Sequence, residues 1–272
     1  MRDMSRLDLN NKKNMLDLIL KNFDSLMVAF SGGVDSAFLL AVAHEALGRK
    51  VVAITATSDI HPAKEREATI DFTKKLGIKH ILLESKEMSC SDFVANSKDR
   101  CYICKKILFK DIFKIAAEMG IKNIVHGANT NDLKDFRPGL KAAHEFGVVA
   151  PLIDAKLAKD NIRLLSKEMH LAEWNKPAMS CLATRISYGT PITKQVLEMV
   201  EQSEDVLFDL GFIACRVRMH GNIARIEVNK EDFAKILDKR IRKIVISKFR
   251  TIGFSHIALD LEGYIQGSMN RP

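Results

Sequence analysis

Apolar positions along the chain fall into short runs separated by amphipathic stretches, and their spacing predicts strands and helices in alternation. From about Leu7 to Asn22, leucines, Met15 and Ile19 recur among lysines and asparagines as in a leading helix. Leu26 to Phe30 forms a strand, and the helix that opens at Ser36 stops at Leu47-Gly48, with glycine in its usual C-terminal place. Val51 to Thr57 is apolar on both faces, as a buried parallel strand is. A helix from Pro62 to Leu76, a strand at Ile81-Leu82-Leu83, helical segments to Gly120, a strand from Asn123 to His126 and a fifth strand at Val148-Val149-Ala150 continue the rhythm. Such a pattern predicts an α/β fold, a parallel sheet with helices on both faces that binds ligands at the carboxyl ends of its strands.

After a helix near Lys159 to Met169 the pattern changes. Trp174 to Pro191 resembles a linker, and Thr193 to Leu210 is helical. Two alternating segments, Ala214 to His220 and Ile223 to Val228, meet at a Gly221-Asn222 turn. Helical periodicity runs from Glu231 to Ile252, and a last strand from His256 to Leu261. The expected division is an α/β domain over residues 1–175 and a smaller α+β domain over 176–272, without internal repeats.

Between the first strand and its helix lies Ser31-Gly32-Gly33-Val34-Asp35-Ser36. Glycines let the backbone approach an anion, Ser31 and Ser36 add hydroxyl donors, and the helix start directs free N–H groups and a positive dipole end at the same point. No Gly-Lys-Ser/Thr follows, which excludes a Walker loop; the plain alternative is a glycine turn of any α/β fold. The order Ser-Gly-Gly-Xaa-Asp-Ser resembles the PP-loop of the N-type ATP pyrophosphatases, which split ATP into AMP and pyrophosphate. That resemblance implies an adenine nucleotide α-hydrolase-like sheet, with Asp35 helping to hold Mg2+ on the departing pyrophosphate. Expected nucleotide contacts are Ser31, Gly32, Gly33, Asp35, Ser36, Thr57 at the end of the second strand, and Gly127 and Asn129 just after the strand ending at His126. The segment His126 to Asp132, followed by Asp135-Phe136-Arg137-Pro138-Gly139, otherwise reads as an ordinary polar loop.

A net charge of +8 suits an anionic ligand, and 47% hydrophobic content supports a sizeable core. Three Tyr, one Trp and no arginine-rich run argue against nucleic acid. The charged first 24 residues are unlike a signal peptide, and no apolar run approaches the ~18 residues of a membrane span, so the expected compartment is the cytoplasm. Five cysteines, an odd number, favour metal or redox chemistry over a disulfide framework.

Cys101-Tyr102-Ile103-Cys104 can place two thiolates on one side of a helix start, and Cys181 in the linker-like segment is a third candidate. Three soft ligands suit a [4Fe-4S] cluster with one iron open; a redox Cys-x-x-Cys and a zinc site are the alternatives. Cys90 and Cys215 have no partner motif. Alternation puts Arg216, Arg218 and His220 on one strand face, and Arg225 with Glu227 on one face of the neighbouring strand. That is either the solvated side of a sheet or a fork for phosphate or carboxylate.

Ser31 to Ser36, Arg100 to Lys105, Gly127-Ala128-Asn129, Arg137 to Leu140, Cys181 to Arg185, Arg216 to Arg218 with Glu227, and Leu261-Glu262-Gly263-Tyr264 together resemble the LarE family along nearly the whole chain. LarE proteins are ATP-dependent sulfur transferases that help make the nickel-pincer nucleotide cofactor. The resemblance implies adenylation of a carboxylate of pyridinium-3,5-biscarboxylic acid mononucleotide and exchange of AMP for sulfur. Some members sacrifice the sulfur of the cysteine at the position of Cys181, whereas others hold a [4Fe-4S] cluster; this chain has the Cys-x-x-Cys pair of the second kind. Cys181, Asp35, Arg216, Arg218 and Glu227 match implied active-site positions, and Cys101, Cys104 and Cys181 match the cluster ligands. A sulfur donor and a homo-oligomer are expected partners. PP-loop enzymes that thiolate tRNA, and a nucleotide-binding iron–sulfur sensor without turnover, are the competing readings.

Overall fold

A computed structural model describes residues 2–134, 137–177 and 180–265. Asp135 and Phe136 of the loop after His126, and Ala178 and Met179 of the linker-like segment, lie outside the described residues. In chain order the elements are α1 (Arg2–Lys21), β1 (Leu26–Ala29), α2 (Val34–Leu47), β2 (Val51–Thr57), α3 (Ala63–Leu76), β3 (Lys79–Glu84), α4 (Ser91–Val94), α5 (Arg100–Glu118) and β4 (Asn123–His126). Then follow α6 (Pro138–Glu145), α7 (Pro151–Asp154), α8 (Lys159–Glu168), α9 (Lys194–Asp209), β5 (Cys215–His220), β6 (Ile223–Val228), α10 (Phe233–Leu237), α11 (Lys239–Ile252) and β7 (His256–Leu259). No helix is long and apolar enough to cross a membrane among the described residues. The chain divides into two compact units, residues 1–58, 63–87 and 99–176 in one, and 59–62, 88–98 and 177–272 in the other.

The first unit is built on a parallel sheet of order β3-β2-β1-β4, with Ala29 opposite both Ile54 and His126. Alternate residues of these strands serve two cores. Leu26, Val28, Val51, Ala53 and Val125 pack with α1, α2, α7 and α8, whereas Met27, Val52, Ile54 and Ile124 pack with α5 and α6. Both faces are therefore covered, as an all-parallel sheet requires. The expected fifth strand is not formed: Val149 makes a single bridge to Val125, through Val149 N–H to Ile124 O and His126 N–H to Val149 O. Pro151 has no N–H and a fixed φ, so it starts α7 at once and leaves no room for a longer ladder.

The second unit has a three-stranded sheet of order β5-β6-β7, antiparallel then parallel, packed on α9 and α11. The expected continuous helix from 231 to 252 is broken at Asp238, whose extended backbone ends α10 and whose carboxylate caps α11 by accepting from the N–H groups of Arg240 and Ile241. Residues 88–98 join this unit through Asn96, which is fully buried and donates from Nδ2 to the carbonyls of Ser187 and Thr190.

Candidate functional site

Beyond β1, Phe30 N–H bonds to Ile54 O, and the chain turns through Ser31-Gly32-Gly33 into α2. Gly32 has φ +75°, and a Cβ there would lie 2.8 Å from Cγ2 of Thr69, so both conformation and space require glycine. Gly33 is the N-cap of α2 and no side chain caps the helix. The buried Ser36 hydroxyl ties the turn: it donates to Gly33 O at 3.1 Å, accepts from Ser31 N–H at 3.3 Å and lies 3.1 Å from the Ser31 hydroxyl. An exposed serine, two glycines and an uncapped helix start thus face the carboxyl ends of the strands, a concave set of donors suited to phosphate.

Asp35 divides its carboxylate. Oδ2 pairs with the ammonium of Lys159, the first residue of α8, while Oδ1 is buried without a hydrogen-bond partner. Burial raises the Asp35 pKa above its ordinary 3.8; Lys159 opposes this, nearby Asp132 adds to it and Arg137 opposes it. Asp132 accepts from Asn129 N–H at 2.9 Å and pairs with Arg137 at 3.0 Å. Asn129 is buried and its Oδ1 takes Asn131 N–H, while Asn131 Oδ1 takes the N–H of Lys159. A buried, half-satisfied carboxylate with a second one in electrostatic reach suits a hard divalent cation, so these residues fit Mg2+.

Gly127 acts through close approach: a Cβ there would lie 2.8 Å from Ser36 N, which is how the β4 loop comes against the glycine turn. Thr57, half-buried at the end of β2, donates its hydroxyl to Leu83 O at 3.3 Å. Lys176 was not anticipated: its ammonium donates to Gly32 O at 3.1 Å and to Glu65 at 2.8 Å. Lys159 was placed only as a helix start, although a cation in a first helical turn opposes the dipole and is a readable signal of another task. Beside the same loop, burial and Lys105 push His126 down to about 4, so the ring is neutral at pH 7.

Cys101 and Cys104 sit in the first turns of α5, three apart on one helical face, and both are half-buried and outside any disulfide. Cys181, in the second unit, precedes a single 3-10 turn from Leu182 to Arg185 and is likewise half-buried and outside any disulfide. Within either unit, no group of three His, Cys, Asp or Glu among the described residues could hold a metal ion. Within the first unit, two thiols at the positive end of α5 have donor chemistry that suits a soft metal centre. Cys215 is buried and its pKa is pushed up to about 12, by burial first and Glu204 second, so the thiol stays protonated at pH 7.

The arginine face of β5 is not a solvated one. Arg216 is 2% exposed, Arg218 5% and Glu227 0%. Arg218 binds Glu227 through Nε and Nη2, both at 3.1 Å, and donates to Thr184 O at 2.9 Å. Arg225 reaches Glu227 at 3.0 Å on Oε1, the oxygen that also accepts from Arg218 Nε. Arg216 donates to Cys215 O at 2.7 Å and lies 5.1 Å above the Tyr264 ring. Arg185 and Glu204 were not anticipated as a pair: the fully buried guanidinium bonds both carboxylate oxygens at 2.9 Å. The remaining Arg185 nitrogen holds the carbonyls of Ser180 at 2.6 Å and Cys181 at 3.0 Å, fixing the backbone that carries the thiol. Arg185, Arg216 and Arg218 bury three guanidinium groups where Glu204 and Glu227 bury two carboxylates. Guanidinium groups of this kind bind phosphate or carboxylate oxygens through paired N–H donors.

Residues 14–106 match the NAD synthase family profile. The chain is 36% identical over 263 residues to an uncharacterized protein of Synechocystis sp., covering 97% of this chain and 98% of that one. It is 35% identical over 266 residues to the pyridinium-3,5-bisthiocarboxylic acid mononucleotide synthase of Lactiplantibacillus plantarum, covering 96% and 95%. It is 31% identical over 253 residues to an uncharacterized protein of Methanocaldococcus jannaschii, covering 93% and 95%.

Proposed function

The chain belongs to the LarE family of ATP-dependent sulfur transferases, and we propose that it adenylates a carboxylate of pyridinium-3,5-biscarboxylic acid mononucleotide and exchanges the AMP for sulfur. The observation that carries the reading is the glycine turn of Ser31 to Ser36 with the half-satisfied Asp35 beside it. A substrate carboxylate oxygen attacks the α-phosphorus of ATP and pyrophosphate leaves, its charge met by the turn's N–H groups, Ser31, Ser36 and the ammonium groups of Lys159 and Lys176. A sulfur nucleophile then forms a C–S bond at the acyl carbon, and AMP departs with the carboxylate oxygen.

Asp35, with Asp132 behind it, would hold Mg2+, which supplies charge neutralisation on the leaving pyrophosphate. Cys101, Cys104 and Cys181 would hold a [4Fe-4S] cluster, which supplies an iron site able to carry sulfide. Arg185 and Glu204 hold the Cys181 backbone in place, and Arg216 offers a buried cation to the phosphate of the acceptor. We assign ATP chemistry to the first unit and acceptor binding to the second.

Pyrophosphate release from ATP, with and without the pyridinium substrate, tests the reaction; no release under either condition would leave a nucleotide-binding sensor. Iron content and visible absorption of anaerobically purified protein test the sulfur route. Replacing Cys101, Cys104 or Cys181 by Ser should abolish both, and Cys90→Ser and Cys215→Ser should spare them. Conversion of Cys181 to dehydroalanine in step with product, with Cys101→Ser still active, would show a sacrificial donor instead. Light scattering checks the expected homo-oligomer.

A further inference from the structure

The charge of this protein is concentrated on one helix that the proposed reaction does not use. In α11, Lys239, Arg240, Arg242, Lys243, Lys248 and Arg250 supply six cations, and the helix has no acid. All six are exposed, and among the described residues none of them makes an ion pair. Four fall within the first five residues, against the positive end of the helix dipole, where cations weaken a helix. Folding does not explain them, because the buried face is carried by Val245 and Phe249.

On the outer face Lys239, Arg242, Lys243, Ile246, Ser247, Arg250 and Thr251 lie together on one open stretch of surface. These positions follow the three- and four-residue spacing of a single helical stripe over about 20 Å. The half-buried Ile246 sits in the middle, so the stripe has an apolar centre within a cationic rim, the anatomy of a protein interface. A single nucleic-acid strand is gripped by aromatic platforms, and the stripe has no aromatic residue, while a duplex held through its phosphates would leave the apolar centre at Ile246 unused. An anionic membrane is bound by a basic helix that buries its apolar face in lipid, and here that face is committed to the core of the second unit.

We propose that the outer face of α11 is a docking surface for an acidic helix of a partner protein. Carboxylates at three- and four-residue spacing would meet Lys239, Arg242, Lys243 and Arg250, with an apolar side chain on Ile246. The test uses the full chain at physiological salt and a fluorescent 15-residue helical peptide with four glutamates in that spacing around a central leucine. Parallel titrations use a 15-nucleotide single-stranded RNA and phosphatidylserine-containing vesicles.

The peptide should bind more tightly than either, the combined variant Arg242→Gln, Lys243→Gln, Arg250→Gln should weaken it at least tenfold, and Ile246→Ala should weaken it several-fold. The combined variant should also melt no lower than the wild type, since removing cations from the helix start relieves the dipole. RNA or vesicles binding as tightly as the peptide, unchanged peptide affinity in the combined variant, or no peptide binding would overturn the proposal.

Discussion

Replacing Gly127 by alanine tests whether the β4 loop and the glycine turn form one rigid piece. The new Cβ would lie 2.8 Å from Ser36 N, 2.9 Å from Ser36 Cα and 3.0 Å from the carbonyl carbon of Asp35. All three are backbone atoms at the start of α2, so no side chain can swing aside, and ordinary contact at about 3.5–4.0 Å demands a backbone shift of roughly half to one ångström. Helix α2 resists, being buried from Ser36 to Ala43. Overpacking of this kind costs about 1–3 kcal/mol. For a unit of this size each kcal/mol lowers Tm by about 2–4 °C, so a mid-range cost predicts a fall of roughly 4–8 °C. The shift also moves Asp35 and Ser36, so pyrophosphate release should drop with it. Gly33→Ala is the control: its φ of −79° suits any residue, and the added methyl meets only the Ser31 hydroxyl at 3.6 Å. Its Tm should stay near wild type while pyrophosphate release falls at least tenfold, because the methyl would occupy the anion's approach. Gly127→Ala melting with the wild type, or Gly33→Ala turning over at the wild-type rate, would refute the reasoning.

Lys159→Met removes the cation that opposes the burial of Asp35, so the Asp35 pKa should rise further. Because a raised carboxylate pKa makes the ionised native state costly, stability falls as pH rises from 3.8 through the native pKa; the variant's deficit should be larger at neutral pH than below pH 3.8 in denaturant titrations, and a pH-independent deficit would exclude the role. His126 works in the opposite sense: its move from 6.5 to about 4 means stability present above pH 6.5 and lost as pH falls through about 4, in total about 3 kcal/mol. His126→Gln should flatten the stability curve over that window. Arg218→Met takes an arginine partner from the buried Glu227, Arg225 staying in place, and should cost about 3–5 kcal/mol of stability, whereas Arg216→Met should lower acceptor affinity tenfold or more with a smaller loss of stability; denaturation and acceptor titration together separate the two.

Most of the first unit was legible because parallel strands buried on both faces leave continuous apolar runs, as Val51 to Thr57 does. Val148 to Ala150 shows where that signal fails: three apolar residues suit a strand or a bridge equally, and only Pro151 hinted that pairing would stop. The break at Asp238 was masked because α10 and α11 both keep an apolar face and the period runs on across it. The arginine face of β5 stayed open between two readings for a different reason. Alternating charged and apolar residues usually mark a half-solvated strand, but Glu227 sits within the adjacent strand and supplies a counter-charge to Arg218. Glu204 does the same for Arg185 from α9, and its position was a usable clue: it falls in phase with the buried Leu197, Val200 and Leu207, where a carboxylate must have a partner.

The glycine turn was recognisable from its residues, whereas its electrostatic balance was not, since that depends on a lysine 124 positions away. Asp35 in a dry turn beside Asp132 would repel phosphate and resist ionising; Lys159 neutralises one of its oxygens and leaves the other without a hydrogen bond. A buried acceptor without a partner is unfavourable by roughly 1–3 kcal/mol. This oxygen lies beside the helix start, where a cation bound with the nucleotide would complete its coordination. Lys159 and Lys176 then have one common consequence: each holds a negative group of the turn, Asp35 or the Gly32 carbonyl, so that the outward donors remain available to the triphosphate.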